Sequence, residues 1–143
     1  KFPTRPSLLA NGAGSIIALG QTFDIITSME VAEHVADNKL FLAQCATLVR
    51  PGGLFVMSTI NRTVKSMVYA IIFGEYLLRL LPLGTHQWKK FIKPQEIAKC
   101  LGTHDMQVND LQGVTMNMKT KKLQLSKDTG VNFILTAHKR ELR

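Results

Sequence analysis

Two glutamates and a histidine lie close together in the first third of the chain, at Glu30, Glu33 and His34. On a helical turn, residues three and four positions apart share one face, so two carboxylates and an imidazole can converge there. Such a donor set suits a divalent cation, Mg²⁺ or Mn²⁺ more readily than Zn²⁺. Alternatively, both glutamates occupy the first turn of a helix, where its dipole favours them, and His34 lies at the surface. The spacing leaves both interpretations open.

The residues around this cluster predict a strand, a helix and a second strand. Residues 23–29 (FDIITSM) are typical of a strand buried on both faces of a parallel sheet. Asp37 then precedes a run with one apolar face, and the Pro-Gly-Gly sequence at 51–53 ends the predicted helix. Residues 54–60 (LFVMSTI) form the second strand of this βαβ unit. Because ligands of open α/β sheets bind beyond the carboxyl ends of the strands, the cluster lies where chemistry is expected.

Beyond residue 60, apolar and basic segments alternate. Residues 66–81 (SMVYAIIFGEYLLRLL) are the most apolar window and predict a helix that Pro82 and Gly84 end. A short helix is expected from Pro94, and strands are expected at 106–111 and 132–138. The lysines between those two strands indicate a basic loop or hairpin; they are Lys119, Lys121, Lys122 and Lys127.

Composition limits the classes of protein to which the chain can belong. Its 143 residues suit one hydrophobic core, and 45% apolar and 20% charged residues exclude disorder and a disulfide scaffold. Cys45 and Cys100 are far apart and indicate two free thiols. The whole basic surplus of +8 falls in residues 61–143, because basic and acidic residues balance in 1–60. This charge favours an anionic partner: a membrane surface, nucleic acid or an acidic substrate.

Several motifs together resemble a known enzyme family. The Phe-Asp strand, the Glu-x-x-Glu-His cluster and the Pro-Gly-Gly turn resemble the latter half of a class I S-adenosylmethionine-dependent methyltransferase. Later motifs are similar to the ubiquinone-biosynthesis O-methyltransferases, which methylate polyprenyl-dihydroxybenzoate and demethylubiquinol. These motifs are Thr59-Ile60-Asn61-Arg62, Gly74-Glu75-Tyr76, Pro82-x-Gly84-Thr85-His86 and Lys90-Phe91-Ile92-x-Pro94.

The resemblance implies an α/β fold, a site and a reaction. The fold is the second half of a Rossmann-like class I methyltransferase sheet, with the N-terminal cofactor-binding half missing. Met29 is implied to contact S-adenosyl-L-methionine, and Glu30, Glu33 and His34 are implied to bind Mg²⁺ or Mn²⁺. The implied reaction is metal-assisted O-methylation of a polyprenylated catechol, in which the metal stabilises the phenolate that attacks the sulfonium methyl. No catalytic base is assigned, and His86 is expected in a loop or at the substrate.

The sequence departs from the family at its start. A Gly-rich turn between two strands normally opens such a domain, and none precedes Phe23. Gly12 and Gly14 cannot replace it, because only eight residues separate Gly14 from Phe23. We therefore expect residues 1–22 to be a divergent or unstructured start and residues 23–143 to be a partial methyltransferase domain, in a truncated or alternatively begun chain.

The apolar window with its basic flanks, residues 62–93, predicts a peripheral contact with an anionic membrane. A sixteen-residue helix spans about 24 Å, less than the ~30 Å hydrocarbon core, so it would lie in the interface. A buried helix covering the sheet is the alternative. The implied location is the matrix side of the mitochondrial inner membrane in a eukaryote, or otherwise the cytoplasmic membrane surface.

Two functions follow from the resemblance. The first is the methyltransferase, acting on a polyprenylated catechol and joining a ubiquinone-biosynthesis protein complex. The second is a non-catalytic membrane-surface or complex-assembly fragment of that enzyme. Nucleic-acid binding is not expected, because the basic run at 119–127 lacks interleaved aromatic residues or a recognisable motif.

Overall fold

The computed structural model describes residues 20–68, 90–117, 120 and 122–141. Within these residues the chain forms five strands, two α-helices, a 3₁₀ turn and the start of a further helix at 64–68. In chain order, the elements are β1 (Phe23–Met29), the 3₁₀ turn (Ala32–His34), α1 (Asn38–Leu48), β2 (Val49–Ile60), α2 (Pro94–Gly102), β3 (Met106–Met116), β4 (Leu123–Ser126) and β5 (Asn132–Lys139).

The strands form one mixed sheet in the order β1-β2-β5-β3-β4. β1 and β2 are parallel, as the predicted βαβ unit requires, and α1 connects them. β5 is antiparallel to both of its neighbours, β2 and β3, and β3 forms an antiparallel hairpin with β4. The predicted strands at 106–111 and 132–138 are therefore confirmed, and the basic segment between them is partly a hairpin.

The connection from α1 to β2 keeps the two parallel strands in register. Asp37 caps α1, since its carboxylate accepts hydrogen bonds from the backbone N–H groups of Lys39 and Leu40 at 2.9 and 3.0 Å. Such a cap stabilises a helix by about 1 kcal/mol. The helix ends at Leu48, before the Pro-Gly-Gly sequence, and the residues at 50–53 bulge out of the β1–β2 ladder. Gly52 has a φ of +75°, a conformation that glycine adopts without strain.

The core lies between one face of the sheet and the two α-helices. Phe55 and Met57 alternate on β2, as strand geometry requires for side chains on one face, and they pair with Ala137 and Leu135 of β5. The helices cover this face with buried apolar residues: Leu42, Cys45 and Ala46 from α1, and Ile97 and Leu101 from α2. Thr59, two positions beyond Met57, continues the same face and is fully buried.

The expectation that β1 is buried on both faces is wrong. Only Ser28 of this strand is buried, and Ile25 is 59% exposed. The physical reason is its position, because β1 is the edge strand of the sheet in the described part of the chain, with β2 as its neighbour. A run of apolar residues indicates a strand but does not give its place in the sheet.

The segment after β2 is tied to the loop that precedes β5. The backbone N–H of Asn61 donates to the carbonyl oxygen of Val131 at 2.8 Å, and its side-chain amide donates to that of Thr129 at 2.8 Å. Thr63 caps the next helix, since its hydroxyl oxygen accepts a hydrogen bond from the N–H of Ser66 at 2.9 Å. This helix begins at residue 64, two residues before the predicted start at residue 66.

Most of the predicted apolar helix at 66–81 lies outside the described residues, as do the family motifs at 74–76 and 82–86. The structure therefore describes only the two ends of the predicted membrane-contact segment at 62–93, namely 62–68 and 90–93. Among the described residues, no helix has the length and hydropathy needed to cross a membrane.

Gly113 on β3 provides a test of this packing. A Cβ atom at this position would lie 1.7 Å from the carbonyl oxygen of Asp128, so Gly113→Ala must displace the loop before β5. We expect the free energy of unfolding to fall by at least about 1–3 kcal/mol in urea denaturation. Gly102→Ala is the control, because a Cβ there meets nothing within 4 Å, and we expect a change of less than about 1 kcal/mol. Equal effects of the two substitutions would contradict this packing.

Candidate metal and cofactor site

The carboxyl ends of β1 and β2 meet at one edge of the sheet, where the predicted site residues lie. Met29, the last residue of β1, pairs with Ser58 of β2, and Glu30 follows directly. The prediction that the Glu-x-x-Glu-His segment lies at the carboxyl end of a parallel strand is thus confirmed. Met29 is 50% exposed, so its thioether side chain is accessible to a ligand at this edge.

Glu30 is held against the end of β2 by both its backbone and its side chain. Its φ is +52°, in the left-handed region that non-glycine residues rarely adopt. Its N–H donates to the carbonyl oxygen of Ser58 at 3.1 Å and contacts the Ser58 hydroxyl at 3.2 Å. The same hydroxyl donates to Glu30 Oε1 at 2.6 Å. Strained backbone of this kind is found most often at functional sites.

Glu33 is buried within the 3₁₀ turn and is hydrogen-bonded to Thr59, the residue after Ser58 on β2. The N–H of His34 donates to the carbonyl oxygen of Val31 at 3.0 Å and closes the turn. Glu30 precedes this turn, and its carboxylate lies close enough to that of Glu33 for the two charges to interact. Glu33 is 5% exposed, and Thr59 Oγ1 donates to its Oε2 at 2.8 Å.

The second interpretation, in which both glutamates lie in the first turn of a helix, does not hold for Glu30, which precedes the 3₁₀ turn; Glu33 lies in the first turn of that short helix. The α-helix begins only at Asn38, after its own cap Asp37, so neither glutamate lies in its first turn. Glu33 is directed into the protein rather than towards solvent. His34 fits that interpretation in part, since its side chain is 55% exposed, but its Nε2 lies 4.0 Å from Glu33 Oε1.

The described residues contain no group of three or more His, Cys, Asp or Glu side chains arranged to hold a metal ion. The carboxylates of Glu30 and Glu33 interact with each other, and His34 Nε2 lies 4.0 Å from Glu33 Oε1. Their role as metal ligands, and that of Met29 as a cofactor contact, stay predictions.

Comparison with known proteins identifies the family. The sequence matches the family description "Methyltransferase domain" over residues 5–110. It is 47% identical over 130 residues to the "Ubiquinone biosynthesis O-methyltransferase" of Mesorhizobium japonicum, covering 91% of this chain and 52% of that protein. The chain belongs to the methyltransferase-domain family. The protein of the same name from Parvibaculum lavamentivorans is 46% identical over 127 residues, which are 89% of this chain and 50% of that protein.

Solved structures agree on the fold. An O-methyltransferase family protein from Burkholderia thailandensis superimposes with a TM-score of 0.56 at 14% identity, covering 92% of this chain and 34% of that one. A SAM-dependent methyltransferase from Methanosarcina mazei gives 0.54 at 12% identity, covering 85% and 61%. The predicted α/β fold of a Rossmann-like methyltransferase sheet is confirmed, as is the family resemblance. At these identities the superpositions show the fold alone.

The methyltransferase-family chain spans about half the length of the curated relatives it matches, as expected for a partial domain. The family match begins at residue 5 and so includes most of the segment 1–22. The division of the chain at residue 22 stays a prediction, because residues 1–19 lie outside the described part.

Ser58 and Thr59 are the site residues that sequence reasoning missed. Both belong to the predicted strand at 54–60, where they were interpreted as strand residues only. The available signal was chemical: two consecutive hydroxyl side chains end an otherwise apolar strand. That end is the one expected to lie beside a ligand.

Partial burial raises the pKa of Glu30 above its ordinary value near 4.5; the hydrogen bond from Ser58 opposes this shift, and the charge of Glu33 adds to it. A raised pKa in the folded state means that the folded protein holds this proton more tightly than the unfolded chain does. The contribution to stability is complete below the ordinary value and is lost as the pH rises through the pKa of the folded state.

We therefore expect the free energy of unfolding, measured without divalent cations, to fall as the pH rises above about 4.5. Glu30→Gln removes the titrating group, so this part of the pH dependence should disappear. Glu141→Gln is the control, because Glu141 lies beside Gly52 near the other end of β2. Urea denaturation across the pH range checks this, and an unchanged slope in Glu30→Gln would contradict the assignment.

Proposed function

We propose that this chain carries part of the site for S-adenosylmethionine-dependent O-methylation of a polyprenylated catechol in ubiquinone biosynthesis. The observation that carries the proposal is the 46–47% identity, over about nine-tenths of the chain, to two proteins named ubiquinone biosynthesis O-methyltransferase. The arrangement at the sheet edge supports it, because the residues that the resemblance assigns to the cofactor and the metal lie together there.

The edge offers a contact surface for the cofactor. Met29 presents a half-exposed, polarisable side chain at the carboxyl end of β1, where nucleotide-like ligands bind in this class of fold.

The residue types of the cluster are ones that a hard divalent cation prefers. Glu30 and Glu33 supply carboxylate oxygens, and His34 supplies an exposed imidazole nitrogen. Two ligands of one Mg²⁺ lie about 3–4 Å apart, because each is about 2.1 Å from the ion. The 4.0 Å between His34 Nε2 and Glu33 Oε1 is within this range. We propose that these three residues hold Mg²⁺ or Mn²⁺.

The mechanism assigns each residue a role in binding or orientation. When bound, the cofactor supplies an electrophilic sulfonium methyl and the cation stabilises the negative charge of the catecholate. Met29 would pack against the cofactor at the end of β1. Glu30 and Glu33 would provide the negative charge that holds the cation at this edge. Holding both reactants in line supplies about 7 kcal/mol or more, so a separate protein base is not required.

Calorimetric titration of S-adenosylmethionine into the 143-residue chain, with and without Mg²⁺, tests the proposal. We expect saturable binding, and Met29→Ala should weaken it about tenfold because an apolar contact is lost. Ile25→Ala is the matched control, since Ile25 is an exposed apolar residue earlier on the same strand. Absence of heat under both conditions would refute cofactor binding by this chain and favour the non-catalytic fragment.

We also propose that the chain acts at an anionic membrane surface, where a polyprenylated substrate dissolves. The support is the charge of the chain, since the surplus of +8 falls after residue 60, around and beyond the apolar window. The location would be the matrix side of the mitochondrial inner membrane in a eukaryote and the cytoplasmic membrane surface in a bacterium. Membership of a ubiquinone-biosynthesis protein complex is part of the same proposal.

Flotation with phosphatidylcholine vesicles, with and without phosphatidylglycerol, tests the membrane contact. We expect binding only to the anionic vesicles, with a decrease at high salt because the charges are screened. Phe73→Asp and Leu77→Asp, within the apolar window, should reduce it. Leu123→Asp is the control, because Leu123 is an exposed apolar residue on β4 outside that window. Unchanged flotation of the two window variants would remove this role.

A further inference from the structure

The two carboxylates of the proposed metal site are each bonded to a hydroxyl from the next strand. Ser58 Oγ lies 2.6 Å from Glu30 Oε1, and Thr59 Oγ1 lies 2.8 Å from Glu33 Oε2. These hydroxyls belong to consecutive residues at the carboxyl end of β2, and both residues are buried. One element of the core therefore contacts both glutamates.

The direction of the Ser58 hydrogen bond is fixed by its surroundings. A serine hydroxyl has one proton and two acceptor lone pairs, whereas an ionised carboxylate only accepts. The N–H of Glu30 points at the Ser58 hydroxyl oxygen at 3.2 Å, which uses an acceptor position. The hydroxyl proton is then directed to Glu30 Oε1, so Ser58 contacts both the backbone and the side chain of this glutamate.

Each hydroxyl bonds one oxygen of its carboxylate. On Glu33, Thr59 bonds Oε2, while Oε1 is the oxygen nearest to His34 Nε2, at 4.0 Å. Thr59 is fully buried and Glu33 almost so, which restricts the rotation of both side chains. A charge-assisted hydrogen bond in such surroundings is stronger than one in water.

We propose that Ser58 and Thr59 are positioning residues that orient Glu30 and Glu33 towards a divalent cation. This inference rests on the proposed metal site. Outer-shell partners of metal ligands commonly change metal affinity by about 10–100-fold when they are removed. The two hydroxyls fit this role because they bond the ligand side chains without contributing a charge of their own.

The test measures Mn²⁺ binding by the electron paramagnetic resonance signal of the free ion, with no assay of methyl transfer. We expect Ser58→Ala and Thr59→Val to weaken Mn²⁺ binding about tenfold or more. Thr59→Val keeps the shape of the side chain, and Thr59→Ser, which retains the hydroxyl, should restore most of the affinity. Thr136→Val on β5 is the matched control; it removes a strand hydroxyl opposite Val56, away from the site.

The outcomes separate this inference from the proposed function. If the wild-type chain binds Mn²⁺ and both variants bind it equally well, the positioning role is wrong and the metal site stands. If the wild-type chain does not bind Mn²⁺, the metal site and this inference are both wrong. Thermal unfolding of each variant shows whether it folds, and Ser58→Ala, which removes a single oxygen atom, carries the test if Thr59→Val is unfolded.

Discussion

The candidate site depends on hydrogen bonding between the carboxyl ends of β1 and β2. A carboxylate is costly to bury unless hydrogen-bond donors compensate for the water it loses. Glu33 is buried beside the core and Glu30 is pressed against the strand end, yet both have a hydroxyl donor within 2.8 Å. Without these donors, the like charges would favour protonation or outward rotation of the side chains. The hydroxyls of β2 therefore allow two acidic groups to share one edge.

This arrangement requires one particular register of the parallel strands. Met29 lies opposite Ser58, and a shift of β2 by one residue would turn Ser58 and Thr59 to the opposite faces. The core resists such a shift, because Phe55 and Met57 would leave the face covered by α1 and α2. The bulge at 50–53 holds the extra residues of β2 that lie between the end of α1 and this register. Core packing on β2 thus determines which hydroxyl meets which glutamate.

The sequence predicts the order of elements better than the contacts between them. The strand at 23–29, the Asp37 cap and the later strands have local signals in residue type and period. The 3₁₀ turn at 32–34 has none; it follows a left-handed Glu30 whose backbone and side chain bond Ser58, a contact between residues distant in sequence. The exposure of Ile25 was missed because it depends on the order of strands in the sheet. Ser58 and Thr59 were missed because their role depends on the register of β1 against β2. That register joins Glu30 to Ser58, 28 residues away, and Glu33 to Thr59, 26 residues away.

A site built in this way links ligand binding to stability. The left-handed backbone of Glu30 destabilises the fold. The repulsion between the charges of Glu30 and Glu33 also destabilises it and contributes to the raised pKa of Glu30. A ligand that binds only the folded state adds stability according to its concentration and affinity. A dication between the two carboxylates would attract both of them. Glu30 and Glu33, which repel each other, would then stabilise the fold when the cation is bound. Local strain at residues 30–34 is therefore consistent with a site that is completed by its ligand.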